Sequence, residues 1–164
     1  MIDPVQFGLH VIRPTLQALD LWSPAAGRLL LGTAIAESGL SHLKQIHGPA
    51  LGLYQIEPAT HEDLYENFLA YREPRRRELR AFTVPNRPVA DQLIWNLAYA
   101  TAVARLIYYR RPEPLPPADD LRGQAEYWKA HYNTSAGKGT VKHYIDAVAP
   151  HWYGPAFLDG ATNP

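Results

Sequence analysis

Fifteen prolines are scattered through the 164 residues, and they constrain the fold more than any other feature. A proline inside a helix removes a backbone donor and collides with the preceding turn. Helices are therefore confined to the long proline-free windows, which are residues 25–48, 59–73, 89–111 and 118–149. A shorter opening helix is expected from about Pro14 to Leu21. Pro112-Glu113-Pro114-Leu115-Pro116-Pro117 reads as a stiff connector between helices. Strand signals are weak, and between Ser41 and Ile56 at most a small hairpin or irregular loop is expected. The predicted fold is mostly α, a single domain over residues 1–164.

Helical periodicity sharpens two of these windows. In the first, Ser23 is a natural N-cap, Pro24 suits the first turn, and Gly39 suits a left-handed C-cap. Leu30, Ala34 and Glu37 fall on one face at four- and three-residue steps, so a carboxylate closes an apolar stripe at the helix end. Desolvation and the negative end of the helix dipole both disfavour its ionised form, which predicts a glutamate with a raised pKa. The window 89–111 carries Val89, Leu93, Leu97, Ala100, Ala104 and Ile107 on one side, with Trp95, Tyr99, Ala102 and Leu106 on the other. A helix apolar nearly all round belongs at the centre of a fold. In the last window, Asp119 or Asp120 is expected to cap one helix and Thr140 another.

Composition excludes several classes of function. Sixteen basic residues balance sixteen acidic ones, which disfavours a broad nucleic-acid-binding face. No stretch approaches the ~20 apolar residues of a membrane span, so no membrane insertion is expected. Without cysteine there is no disulfide, thiol nucleophile or thiolate metal site. His42, His47 and His61 lack paired-ligand spacing, so neither metal nor cofactor is expected. The arginines at 72, 75, 76, 77 and 80 read as a solvated face, with attraction to an anionic wall polymer as a minor alternative. Trp22, Trp95, Trp128 and Trp152 read as core; Trp152 and Tyr153 are the better candidates for a sugar platform. Met1-Ile2-Asp3-Pro4 does not read as a signal peptide, so export by that route is not expected.

Three short segments interrupt the ordinary helical pattern. They are Glu37-Ser38-Gly39-Leu40, Gly52-Leu53-Tyr54-Gln55-Ile56-Glu57-Pro58, and His131 to Gly139, which begins His-Tyr-Asn and ends Gly-Lys-Gly. In that order, with Gln55 following Glu37 by 18 positions, they resemble the signature of the lysozyme-like lytic transglycosylases. Pro58-Ala59-Thr60 and Asn96-Leu97 extend the resemblance, which spans about residues 24–149. It implies a lysozyme-like domain with a cleft, cleaving peptidoglycan between N-acetylmuramic acid and N-acetylglucosamine. Glu37 would be the single general acid/base, with Ser38, Gln55 and Tyr132 supporting it. Ser38 would orient it or hold an N-acetyl group, and the Tyr132 hydroxyl would point at the carboxyl. Gly52, Leu53, Tyr54 and Asn133 would form the substrate-binding wall, Asn133 also bracing its loop. Tyr54 stands where the family commonly has methionine, Val103 where it often has tyrosine, and the turn from Thr134 to Gly137 is longer than usual.

The chemistry is consistent with that assignment. Most glycosidases use two carboxylates, but a sugar whose acetamido group acts as internal nucleophile needs only one. That one must be protonated near neutral pH. Attack by the sugar's own 6-hydroxyl then gives a 1,6-anhydro end, whereas attack by water makes the enzyme a muramidase. Glu57 and Asp63 are the candidate second carboxylates. The alternatives are a lysozyme-like glycan-binding or virion module without catalysis, or a helical adaptor. The expected partner is the peptidoglycan strand, with other virion proteins if the chain is carried on a phage particle. A wall-active protein made in the cytoplasm without a leader reaches its substrate through lysis, a holin-type pore or the virion, which suits a phage or prophage origin; a bacterial toxin is the other source.

Overall fold

The computed structural model describes residues 1–133 and 137–152. It is mostly helical, as the proline spacing predicts. The elements run α1 (Pro4–Phe7), a π turn (Gly8–Ile12), α2 (Arg13–Ala18), α3 (Pro24–Ser38), α4 (Pro58–Asn67), α5 (Glu73–Arg80), α6 (Gln92–Trp95), α7 (Leu97–Tyr109), α8 (Leu121–Trp128), a π segment (Lys129–Asn133) and α9 (Val141–Val148). Short 3-10 turns follow α4 and α9.

Helix α7 is the hub. Every residue from Tyr99 to Tyr108 is buried, and the helix packs against α2, α3, α4 and α5. Beside it, α3 is buried from Ala26 through Ala36 and leans on α9 and α8. The caps of α3 are those expected. Ser23 Oγ accepts the Ala26 N–H at 3.1 Å, and Gly39 closes the helix with φ 58° and its N–H on Ile35. Asp120 caps α8 and Thr140 caps α9, each accepting a backbone N–H three residues on.

Three boundaries differ from the sequence reading. The opening helical stretch begins at Pro4, not near Pro14, because Asp3 Oδ1 accepts the Gln6 N–H at 2.9 Å and starts it early. The π turn ahead of Pro14 loosens the backbone where a regular helix would meet the proline ring. The window 89–111 is split at Asn96 (φ −92°, ψ 89°), whose Oδ1 caps α7 through the Tyr99 N–H while its Nδ2 donates to Phe82 O at 2.8 Å. Val89 and Trp95 consequently sit outside α7 and are exposed. The arginine-rich stretch forms a helix of its own, α5, begun by Pro74 in its first turn. Its face is not simply solvated. Arg75 donates to Leu19 O at 2.7 Å and lies over the Tyr109 ring, and Arg72 lies over Phe68.

Between α3 and α4 the chain forms a compact irregular loop in place of a regular hairpin. Leu51 bridges to Lys44 on one side and to Ile56 on the other, exchanging both backbone hydrogen bonds with Ile56. Gly52 turns the chain with φ 72°, and a Cβ there would lie 1.9 Å from the Leu93 carbonyl oxygen. Gly39 has a similar φ but nothing within 4 Å of its missing Cβ. The two glycines therefore respond differently to alanine. Gly39→Ala carries only the left-handed backbone strain, about 1 kcal/mol, whereas Gly52→Ala adds a collision with a carbonyl and is expected to cost about 2 kcal/mol or more. Urea unfolding of both variants measures the difference; equal losses would contradict this packing.

Candidate active site

Glu37 occupies the last turn of a helix whose preceding eleven residues are buried. It is half-buried at the floor of a cleft of about 720 Å³. The cleft is walled by the loop after α3, which brings His42, Gln45, Ile46, Gln55 and Glu57, and by the α8–α9 region, which brings Trp128, Tyr132, Asn133, Lys138 and His143. Stretches of the chain distant in sequence thus line one cleft together with Glu37.

The carboxyl itself is tied to Trp128, whose indole Nε1–H donates to Glu37 Oε1 at 3.0 Å. Burial pushes the Glu37 pKa up from an ordinary 4.5 to about 7. The indole N–H, the charge of His143 and the Asn133 amide each favour the ionised form and offset part of that rise. His143 is itself anchored, with Nε2 3.0 Å from Ala36 O. Desolvation thus wins over three opposing influences, and the group titrates near neutrality.

The other expected site residues divide into two groups. Gln55, Tyr132 and Asn133 line the cleft with Glu37. The Tyr132 hydroxyl, however, donates to Tyr54 O at 2.8 Å and not to the Glu37 carboxyl. Its ring stacks on Tyr108, centroids 5.2 Å apart, and the Tyr108 hydroxyl pairs with Thr33 Oγ1 at 2.7 Å. Gln55 holds a left-handed backbone (φ 47°) and spends its amide Nε2 on Gly52 O, 2.8 Å away, and on His42 O. It ties two turns of the loop together. Asn133 is braced by Lys129, whose Nζ donates to Asn133 Oδ1 at 2.8 Å and to Gly137 O at 2.9 Å.

Ser38, Gly52, Leu53 and Tyr54 do not line the cleft. Ser38 is buried and its Oγ donates back to Ala34 O at 3.0 Å, so its hydroxyl is turned to its own helix and not to the Glu37 carboxyl. Leu53 and Tyr54 are core residues, 1% and 0% exposed. The Tyr54 hydroxyl is 3.1 Å from Thr101 Oγ1 within the core, so a role in a sugar subsite is corrected to a structural one. Gly52 faces the Leu93 backbone for the reason given above. Glu57 lines the cleft, whereas Asp63 is on the surface, paired with Arg110 and Asn67. Trp152 lies beneath the Arg28 guanidinium, 4.3 Å from its ring, which makes it a packing residue. Thr134, Ser135, Ala136 and Tyr153 lie outside the described residues.

Sequence reasoning missed Trp128, His143 and Lys129. Trp128 fits a core position by residue type, and it is 1% exposed, but a buried indole N–H needs an acceptor. A glutamate on an apolar stripe needs a donor. Matching those two unmet needs was the available signal.

Comparison of the chain with models of protein families, with curated proteins and with solved structures returns no match.

A raised pKa makes Glu37 a burden on stability in alkaline solution. The unfolded chain gives up the proton near pH 4.5 and the folded one near 7. The stability contributed by this proton is therefore full below about pH 4.5 and is lost as pH rises through 7. Glu37→Gln keeps an acceptor for Trp128 but cannot ionise. Relative to the parent it should gain up to about 3 kcal/mol at pH 8, with the gain vanishing by pH 4. Urea unfolding at the two pH values tests this, and a gain independent of pH would refute the assignment.

Proposed function

We propose that this chain is a peptidoglycan-degrading glycosidase of lysozyme-like type that cleaves the bond between N-acetylmuramic acid and N-acetylglucosamine. Glu37 acts as its single general acid/base, in the manner of a lytic transglycosylase. The observation that carries the reading is the Glu37 carboxyl, desolvated at the floor of an open cleft and poised near neutral pH. Such a group is protonated often enough to act as an acid and acidic enough to serve next as a base. The resemblance of the Glu37, Gln55 and Tyr132-Asn133 segments supports the substrate class.

In this reading the glycan strand lies along the cleft with its scissile oxygen over Glu37. The carboxyl gives its proton to the departing glycosidic oxygen as the C1–O bond breaks. The acetamido oxygen of the muramic residue bonds to C1 from the opposite face and takes up the positive charge. The Glu37 carboxylate then removes the proton from the 6-hydroxyl, whose oxygen bonds to C1 and expels the acetamido oxygen. The chain ends in a 1,6-anhydro sugar and Glu37 regains its proton. Protons balance within the cycle, so no cofactor is called on. Lysis or carriage on a phage particle is the route by which we place the protein at the wall.

Digestion of purified sacculi tests the proposal. The parent should release soluble muropeptides and Glu37→Gln should lose at least about a hundredfold in rate, as expected for removal of a general acid. Release by the variant at the parental rate would sink it. If neither protein releases muropeptides but both are retained on sacculi, the chain is a glycan-binding module.

One observation favours a second reading. Glu57 lines the same cleft and offers a carboxylate that could activate water, which would make the enzyme a hydrolytic muramidase. Mass spectrometry of the products separates the two. Anhydro ends that persist in Glu57→Gln are expected for the transglycosylase, whereas reducing ends that disappear in this variant would establish the muramidase.

A further inference from the structure

The contact between Trp128 and Glu37 has a chemical asymmetry. Indole Nε1 is a donor with no lone pair to offer, whereas serine, tyrosine and histidine can both give and take a proton. A carboxyl oxygen held by an indole N–H can therefore act toward it only as an acceptor, whichever protonation state Glu37 is in. When Glu37 is neutral, the contact favours its proton on Oε2, because the carbonyl oxygen of a carboxylic acid is a better acceptor than its hydroxyl oxygen. Trp128 orients the acid without competing for the proton it has to transfer.

The surroundings keep that donor in place. Trp128 is the last residue of α8, 1% exposed, with its ring 5.3 Å from the Tyr144 ring and 6.5 Å from the His143 ring, centroid to centroid. On its far side stands Gly139, where a Cβ would come within 2.4 Å of Trp128 Cη2 and 3.0 Å of Asn133 Nδ2. The glycine leaves room for the indole edge, and with it for the Asn133 amide that also faces Glu37. On the adjoining surface, a Cβ at Gly32 of α3 would lie 1.9 Å from the Tyr144 hydroxyl, so α9 closes tightly on α3 behind the indole. The indole is thus wedged, and the direction of its N–H is set by packing.

We propose that Trp128 is the positioning residue of Glu37: its indole N–H holds Oε1 and leaves Oε2 as the oxygen that delivers and recovers the proton. The inference rests on Glu37 being the reacting group. Other groups also act on this carboxyl and must be followed with it. His143 faces it from α9, Tyr132 from the π segment and Tyr108 from α7, while His42, Lys138 and Glu57 line the rest of the cleft. Burial holds both tyrosines well above their ordinary range, so they stay neutral through the neutral pH region.

The deciding experiment replaces Trp128 by β-(3-benzothienyl)alanine through suppression at that one codon in the full chain. The substitute keeps the bicyclic shape and puts sulfur where the N–H was. The Glu37 carboxyl is titrated by carbon-13 NMR, assigned by its loss in Glu37→Gln, with the His143 ring followed in the same samples. Without the donor the ionised form is less favoured, so the Glu37 midpoint should rise by about one pH unit. The alkaline limb of the sacculus-digestion profile should rise with it, kcat should fall, and KM should hold. Trp128→Phe, which also lacks a donor, should move the midpoint the same way, with its fold checked by circular dichroism. An unchanged Glu37 midpoint in the benzothienyl variant of an active parent overturns the inference and leaves the glycosidase reading standing. A raised midpoint in a protein that leaves sacculi intact upholds the coupling of Trp128 to Glu37 and overturns the glycosidase reading instead.

Discussion

Helix α3 is enclosed on all sides from Ala26 to Ala36, and that enclosure decides where its side chains can reach the cleft. A side chain on such a helix can meet solvent only where the helix stops. Gly39 stops it by turning left-handed immediately after the last turn, and Glu37 is placed there, facing outward at the boundary between core and cleft. The same enclosure removes much of the water that would otherwise solvate the carboxylate. Position and protonation state thus have one origin, the burial of the helix that carries the group.

Behind the cleft floor, hydroxyl groups are joined across helices in place of purely apolar contacts. Thr33 on α3 meets Tyr108 on α7, Tyr108 stacks on Tyr132, and Tyr132 donates to the backbone of Tyr54. Tyr54 in turn reaches Thr101, which bonds back to its own helix at Leu97 O. Buried polar groups cost free energy unless satisfied, and linked sets of them specify one arrangement of the helices over others. Here the chain of contacts connects α3, α7, the irregular loop and the π segment, the parts that also surround Glu37. The arrangement of the cleft floor is specified by this network more than by any single contact.

Much of this architecture is legible in the sequence because it depends on local rules. Proline spacing marks the helical windows; Ser23, Asp120, Thr140 and Gly39 mark their ends; the all-round apolar pattern marks α7 as central. The misplaced boundaries trace to residues whose effect depends on a distant partner. Asn96 breaks its helix because its side chain reaches both Tyr99 N–H and Phe82 O, and the second contact leaves no periodic trace. At the site, Glu37 is readable from its stripe, and Gln55, Tyr132 and Asn133 from short motifs. Gly52, Leu53 and Tyr54 belong to the same motif as Gln55 but point into the core. Of the four residues from Gly52 to Gln55 only Gln55 lines the cleft, and motif position alone does not say which. Trp128 and His143 were hidden for the opposite reason: their residue types fit a core or surface role equally well, and only the fold brings them to the carboxyl.

The close approach of Trp128 to Gly139 links two positions that nothing in their own chemistry connects. A lineage that acquired any side chain at 139 would have to shrink or turn the aromatic group at 128, and one that replaced the tryptophan by a smaller residue would remove the closer of two obstacles at 139, leaving only the Asn133 amide. Among descendants of this chain, glycine and tryptophan should therefore be inherited as a pair or abandoned together. The more Glu37 depends on the indole donor, the fewer intermediates survive between those two states.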